Sequence, residues 1–197
     1  MTGTLDRREV VARLLERRGE ALVVSGLGAA TYDVAAAGDS PRNFYLWGAM
    51  GGAASLACGL ALARPEVAVV ALTGDGEMLM GLGSFATIGR QAPANLTIVV
   101  LDNGRYGETG AQESHTSAGK GATDLAAVAR ACGIAQVTRM TSREELADIA
   151  ANFPRRTDGP HVVVVAIAPT AHPRLVPLRD GAHGRARMRV ALGLPAD

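Results

Sequence analysis

Four short apolar runs punctuate the chain: residues 21–25 (ALVVS), 67–73 (VAVVALT), 96–101 (LTIVVL) and 161–168 (HVVVVAIA). They are nearly continuous rather than alternating, which is the pattern of strands buried on both faces. Residues 136–140 read as a further strand, and 43–47 (NFYLW) as an extended segment. Between these runs the period changes to that of helices. Val10, Val11, Leu14 and Leu15 fall on one face of a helix over residues 5–19, and a second helix is expected near Thr31. A small-residue helix covers 51–63 (GGAASLACGLALA) and ends before Pro65; another runs from about 80 to 91 and stops before Pro93. Residues 124–132 form a helix capped by Thr123 or Asp124 and closed by Gly133. Ser142 and Glu145 have the spacing of a capping box for a helix over 142–152.

Strands thus alternate with helices, which predicts a three-layer α/β/α domain built on a mainly parallel sheet. One such domain is expected over residues 1–170. The Arg- and His-bearing tail, 171–197, is either a mobile arm or a segment that packs on a partner. Residues 104–121 are rich in Gly, Ser and Thr, a loop long enough to suggest a functional role.

Composition narrows the class. The 197 residues are 48% hydrophobic and 20% charged, an ordinary globular mix for one domain with a sizeable core. The net charge of +1 and the absence of basic runs interleaved with aromatics argue against nucleic acid. Cys58 and Cys132 form no CxxC pair, so they read as small hydrophobes rather than a disulfide or zinc site. The charged start (MTGTLDRREV) has no apolar signal core, and no run reaches the roughly 18 apolar residues of a membrane span. A cytoplasmic protein is expected.

The chemistry lies at two strand ends. Gly74-Asp75-Gly76 follows one apolar run, and Asp102-Asn103-Gly104 closes another about 25 residues later. In an open parallel sheet that edge binds ligands. A carboxylate and a carboxamide are hard oxygen ligands suited to Mg²⁺, and glycine lets backbone approach a phosphate. Either triplet alone reads equally well as a simple turn; the pair is far more specific. Ser25-Gly26-Leu27-Gly28 is a tight strand-to-helix turn that exposes backbone N–H groups to an anion, weak alone and stronger beside the metal motif.

This pattern resembles the diphosphate-binding (PP) domain of thiamine diphosphate-dependent enzymes. The resemblance spans roughly residues 20–170, through GAMGGAASLACGLALARPE, LTGDGEMLMGLGSFATIGRQAPANLTIVVLDNG, YGETGAQ and DLAAVARACG. Within that family it is similar to the sulfopyruvate decarboxylase beta subunit and the C-terminal domain of phosphonopyruvate decarboxylase. The resemblance implies thiamine diphosphate and Mg²⁺ as cofactors, with Asp75, Asn103 and the Arg105 carbonyl as metal ligands. The family commonly has Asn-Asn where this chain has Asp102-Asn103; position 102 is not the metal ligand. The resemblance further implies that Ser25, Gly26, Gly28, Gly74, Gly76 and Glu77 lie at the diphosphate, with Tyr106 packed nearby. In Leu46-Trp47-Gly48-Ala49-Met50, the Gly48 carbonyl would accept from the aminopyrimidine and Met50 would wedge between the two rings.

His115 is a candidate proton donor or anion contact in the long loop, against the plainer reading of a solvated histidine. Glu108, Glu113 and Lys120 read as surface charges, and His161, His172 and His183 as structural or exposed. Arg42, Arg105 and Lys120 are candidates for an anionic substrate tail.

The glutamate that activates the cofactor belongs to a pyrimidine-binding domain, which no part of this chain resembles. The expectation is therefore the beta subunit of a two-subunit 2-oxo acid decarboxylase, incomplete without an alpha subunit, in a heterodimer or heterotetramer. Two rivals are an acetolactate synthase-like carboligase subunit and a non-catalytic scaffold that retains the fold. A 2-oxo acid:ferredoxin oxidoreductase subunit fits less well, because no cysteine cluster is present.

Overall fold

The computed structural model describes residues 3–154 and 157–197. A six-stranded sheet contains β1 (Leu22–Ser25), β2 (Asn43–Tyr45), β3 (Val69–Gly74), β4 (Leu96–Asp102), β7 (Gln136–Met140) and β8 (His161–Ala166). The strand order is β2-β1-β3-β4-β8-β7, and every pairing in this sheet is parallel. The apolar runs form its centre: residues 69–72, 96–101 and 162–165 are buried throughout.

Alternate residues of each strand feed two cores. Leu22, Val24, Ala71, Ile98 and Val164 face one side; Val23, Leu72, Val99 and Val163 face the other. The first side is covered by α3 (Ala53–Ala63), α5 (Ser84–Gln91) and α6 (Leu125–Ala131). The second is covered by α1 (Arg7–Leu15), α2 (Ala29–Ala36) and α7 (Arg143–Ala151). The three-layer α/β/α architecture is thus the one expected.

Small side chains set the close approaches. Ala53, Ala54, Ala57, Cys58 and Ala61 form the buried stripe of α3. Both cysteines are free; Cys58 is buried and Cys132 half-buried. Ser142 and Glu145 form the expected capping box on α7, and Asp124 caps α6.

Three segments differ from the sequence expectation. The helix expected over 80–91 is two helices, α4 (Asp75–Met80) and α5, interrupted at Gly81-Leu82-Gly83. Helix α4 therefore begins at Asp75 itself, directly on the end of β3. The long loop 104–121 contains an antiparallel hairpin of β5 (Arg105–Tyr106) and β6 (Gln112–Glu113), joined through a single 3₁₀ turn at Gly107–Thr109. The tail folds back: α8 (Gly181–Ala191) packs beside β2, with Met188 in the core and Arg187 paired to Asp39.

Topology positions the site. From β1 the chain moves outward to β2, then returns past β1 to β3. The carboxyl ends of β1 and β3 therefore border the point where the connections diverge, which is where open α/β sheets bind ligands.

Candidate functional site

A cavity of about 360 Å³ opens at this switch point. Its wall includes Gly74, Asp75, Gly76 and Glu77 after β3, Asn103 and Arg105 after β4, and Leu27 and Ala29 after β1. Met50 and Tyr106, also assigned to this place from sequence, line it as well, whereas Ser25, Gly26, Gly28 and Gly48 do not.

Asp75 is buried at 2% exposure, with its carboxylate held by hydroxyls from the segment that follows the hairpin. Ser114 Oγ donates to Asp75 Oδ2 at 2.5 Å, and Thr116 Oγ1 lies 3.0 Å from the same oxygen. Thr116 Oγ1 also lies 2.7 Å from Asp102 Oδ1. One hydroxyl proton serves only one acceptor at a time, so the two carboxylates compete for it. Burial raises the proton affinity of Asp75, and the Asp102 charge raises it further; the two hydroxyls and the Asn103 amide pull the other way, and the net shift is upward. A buried carboxylate beside a second negative charge is a favourable place for a cation.

Asn103 Oδ1 accepts from the Arg105 amide at 2.9 Å, which fixes the side chain in a turn at the strand end. Arg105 Nη1 donates to the Ala111 carbonyl at 3.0 Å, so its guanidinium also braces the hairpin. Gly104 has φ +67 and its amide donates to Asp102 Oδ1 at 3.1 Å. Gly104 therefore combines a left-handed turn with close packing against Ser117.

The other assigned residues lie around this centre. Ser25 is fully buried, and its Oγ is engaged with Thr31 Oγ1 at 2.6 Å. Thr31 Oγ1 also donates to the Gly26 carbonyl at 2.7 Å, so these hydroxyls stiffen the turn and stay outside the cavity wall. Gly28 has φ +86 at the start of α2, and Gly48 has φ +69 in the turn before Met50. Neither glycine lines the cavity. His115 is exposed and outside the wall, yet its Nδ1 lies 3.3 Å from the hydroxyl of Tyr106, which lines it.

Several wall residues escaped the sequence reading. Glu108, read as a surface charge, lines the cavity; its side chain crowds Gly28, and its Oε2 lies 3.6 Å from Arg174 Nη2. Thr109 and Gln112 enter from the same hairpin, and Arg7 enters from α1. Arg7 pairs with the buried Asp33 and donates to the Ala29 carbonyl at 3.2 Å. Of the proposed anion contacts, Arg42 lies just before β2, at the opposite edge of the sheet, where it pairs with Glu20. Arg105 alone of those three is in the wall.

Residues 26–165 match the family described as "Thiamine pyrophosphate enzyme, C-terminal TPP binding domain". The chain belongs to this family. It is 44% identical over 156 residues to the phosphonopyruvate decarboxylase of Streptomyces viridochromogenes; that match covers 79% of this chain and 38% of the relative's length. It is 36% identical over 165 residues to the sulfopyruvate decarboxylase subunit beta of Methanococcus maripaludis, covering 84% of this chain and 85% of the relative. In fold it is like a chain of the 2-oxoglutarate:ferredoxin oxidoreductase from Magnetococcus marinus, with a TM-score of 0.67 at 19% identity over 98% of this chain and 77% of that one. This last likeness concerns the architecture alone.

The residues present fit the cofactor that defines the family. Asp75 offers a buried carboxylate, Asn103 an amide oxygen, and Gly76 a backbone without a Cβ, all on one wall.

Proposed function

We propose that this chain is the beta subunit of a two-subunit thiamine diphosphate-dependent 2-oxo acid decarboxylase acting on sulfopyruvate-like or phosphonopyruvate-like substrates. The observation that carries this reading is the buried Asp75 beside Asn103 in the wall of a cavity at the sheet's switch point. Likeness to a separately encoded beta subunit over most of both chains supports the division into subunits. Among the described residues no cluster of three or more His, Cys, Asp or Glu side chains is arranged for a metal. A cation here would depend on the Asp75 carboxylate, the Asn103 amide, the Arg105 carbonyl and the cofactor's own oxygens. Mg²⁺ suits such a set of hard oxygens.

When bound, thiamine diphosphate supplies the electron sink that lets a 2-oxo acid lose CO₂. The chain's own residues bind and orient it. Asp75 and Asn103 would hold a metal that offsets the diphosphate charge, and backbone N–H groups after Gly26 and Gly74 would serve the phosphates. Met50, on the cavity wall, would set the bend of the cofactor, with Gly48 shaping the turn that presents it. The hairpin carrying Tyr106 and Glu108 walls the site against water. The cofactor-activating carboxylate is assigned to an alpha subunit with a pyrimidine-binding domain, so the reacting centre lies at the subunit interface. No helix among the described residues is long and apolar enough to cross a membrane, and a cytoplasmic location is part of this proposal.

The test is CO₂ release from sulfopyruvate and phosphonopyruvate by the chain co-expressed with its alpha subunit. Release that needs both subunits, thiamine diphosphate and Mg²⁺ supports the assignment. Condensation of pyruvate to acetolactate instead would favour the carboligase.

A further inference from the structure

Glu77 is 4% exposed, yet it carries a carboxylate. Its Oε2 accepts from Thr73 Oγ1 at 2.7 Å, at the end of β3. The backbone amides of Ala53 and Gly51, at the entrance to α3, are directed towards it. A Cβ on Gly26, in the turn after β1, would fall onto the carboxylate itself. One side chain therefore touches three segments beside the cavity: the end of β3, the Gly26 turn and the entrance to α3.

The burial carries a cost that the contacts only partly offset. Oε1 has no aligned donor. A buried, incompletely satisfied acceptor is unfavourable unless it performs a task. Helix α3 has Gly52 at its N-cap and no side-chain cap, so the Glu77 carboxylate stands where a capping anion would. The same α4 segment grips this entrance a second time: a Cβ on Gly51 would lie 2.8 Å from the Gly81 amide nitrogen. Gly51 has φ +87 and directly follows Met50. The turn holding Trp47, Gly48 and Met50 is thus clamped to α4 at two points, Glu77 and Gly81.

We propose that Glu77 is a positioning residue: its carboxylate locks the Gly26 turn and the Gly51–Ala53 entrance to the end of β3, and so sets the place of Met50 in the cofactor site. Its cofactor role rests on the function proposed above. Glu77 borders the cavity, and its carboxylate acts through the turn it holds.

Trp47 is the single tryptophan of the chain and lies in this turn, so its emission reports the turn's placement. The experiment compares Glu77→Ala and Glu77→Gln with the unsubstituted protein, assembled with its alpha subunit. It records Trp47 emission without cofactor, the melting temperature, and the Kd for thiamine diphosphate in MgCl₂. Glu77→Ala is expected to alter Trp47 emission and raise the Kd by about tenfold or more. Glu77→Gln, which keeps the size and one acceptor oxygen, is expected to recover most of both. Gly26→Ala is expected to disturb emission alone but to be tolerated in the Glu77→Ala background, because the colliding carboxylate is gone. Unchanged emission with an unchanged Kd overturns the proposal. A loss of folding shared by Ala and Gln, without Gly26 coupling, also overturns it and leaves a purely structural carboxylate. If the unsubstituted protein binds no thiamine diphosphate, the proposed function fails, and Trp47 emission with the Gly26 coupling still decides whether Glu77 sets the turn.

Discussion

Gly76 lies against the ring of Tyr106: a Cβ at position 76 would be 2.6 Å from Cδ1 and 2.8 Å from Cε1. The second glycine of the Gly74-Asp75-Gly76 motif therefore serves two neighbours, the open cavity and the hairpin that closes it. Gly76→Ala is expected to push the Tyr106 ring aside and raise the Kd for thiamine diphosphate with Mg²⁺ by about tenfold, read by calorimetry on the assembled protein. Adding Tyr106→Ala should recover part of that loss, because the clash partner is removed. Tyr106→Phe, which removes only the hydroxyl near His115, should leave the Kd within about twofold.

Asn95 ties three carbonyls together. Its Nδ2 lies 3.1 Å from the Ala61 oxygen, 3.0 Å from Arg64 and 2.7 Å from Val67, closing the end of α3 onto the start of β3. It is buried at 4% exposure, so its removal leaves acceptors without partners. Asn95→Ala should lower unfolding free energy by about 1–3 kcal/mol, measured by denaturant titration, without changing the cofactor Kd.

The ion pair of Arg7 and Asp33 joins α1 to α2 beneath the cavity wall, with Asp33 fully buried and Arg8 Nε 3.1 Å from its second oxygen. Arg7→Met removes one of the two cations that hold the buried Asp33 and leaves Arg8 as its partner, so it should cost about 1–3 kcal/mol. Arg7→Met combined with Asp33→Leu should recover part of it, as thermal melts would record.

Asp39 connects the tail to β2. Burial opposes its charge, but the Arg187 guanidinium, the Tyr45 hydroxyl and the Ser40 amide outweigh this and hold its pKa below the ordinary carboxylate value. A folded pKa below the unfolded value of about 3.9 means stability that is present above that pH and lost as pH falls through the folded value. The melting-temperature gap between the unsubstituted protein and Asp39→Asn should therefore be full at pH 7. It should narrow as pH falls below about 4.

The apolar runs made the central strands legible, because a parallel strand covered on both faces needs continuous Val, Ile and Leu, as in residues 162–165. Asp75 and Asn103 were legible for the same reason, since each closes such a run. Helix α4 was hidden because its first turn is the motif itself; a glycine-flanked Asp reads as a loop until the strand end supplies the helix start. The Ser114 and Thr116 contacts to Asp75 span 39 and 41 residues and exist only once the hairpin folds, so local pattern carries no trace of them. Glu108 is exposed, as a surface charge should be, but its place on the cavity wall was not legible, because it depends on the 3₁₀ turn that swings it over Gly28. The tail offered only charge, whereas its packing depends on Met188 meeting the core and on Trp47 donating to the Leu178 carbonyl at 2.9 Å.

Calorimetric titration of thiamine diphosphate in MgCl₂ tests the central claim most directly, run on this chain alone, with its alpha subunit, and with Asp75→Ala plus that subunit. The split-site account predicts tight binding only in the mixture of unsubstituted chains, abolished by Asp75→Ala. Binding that survives Asp75→Ala, or no binding in any mixture, would contradict it.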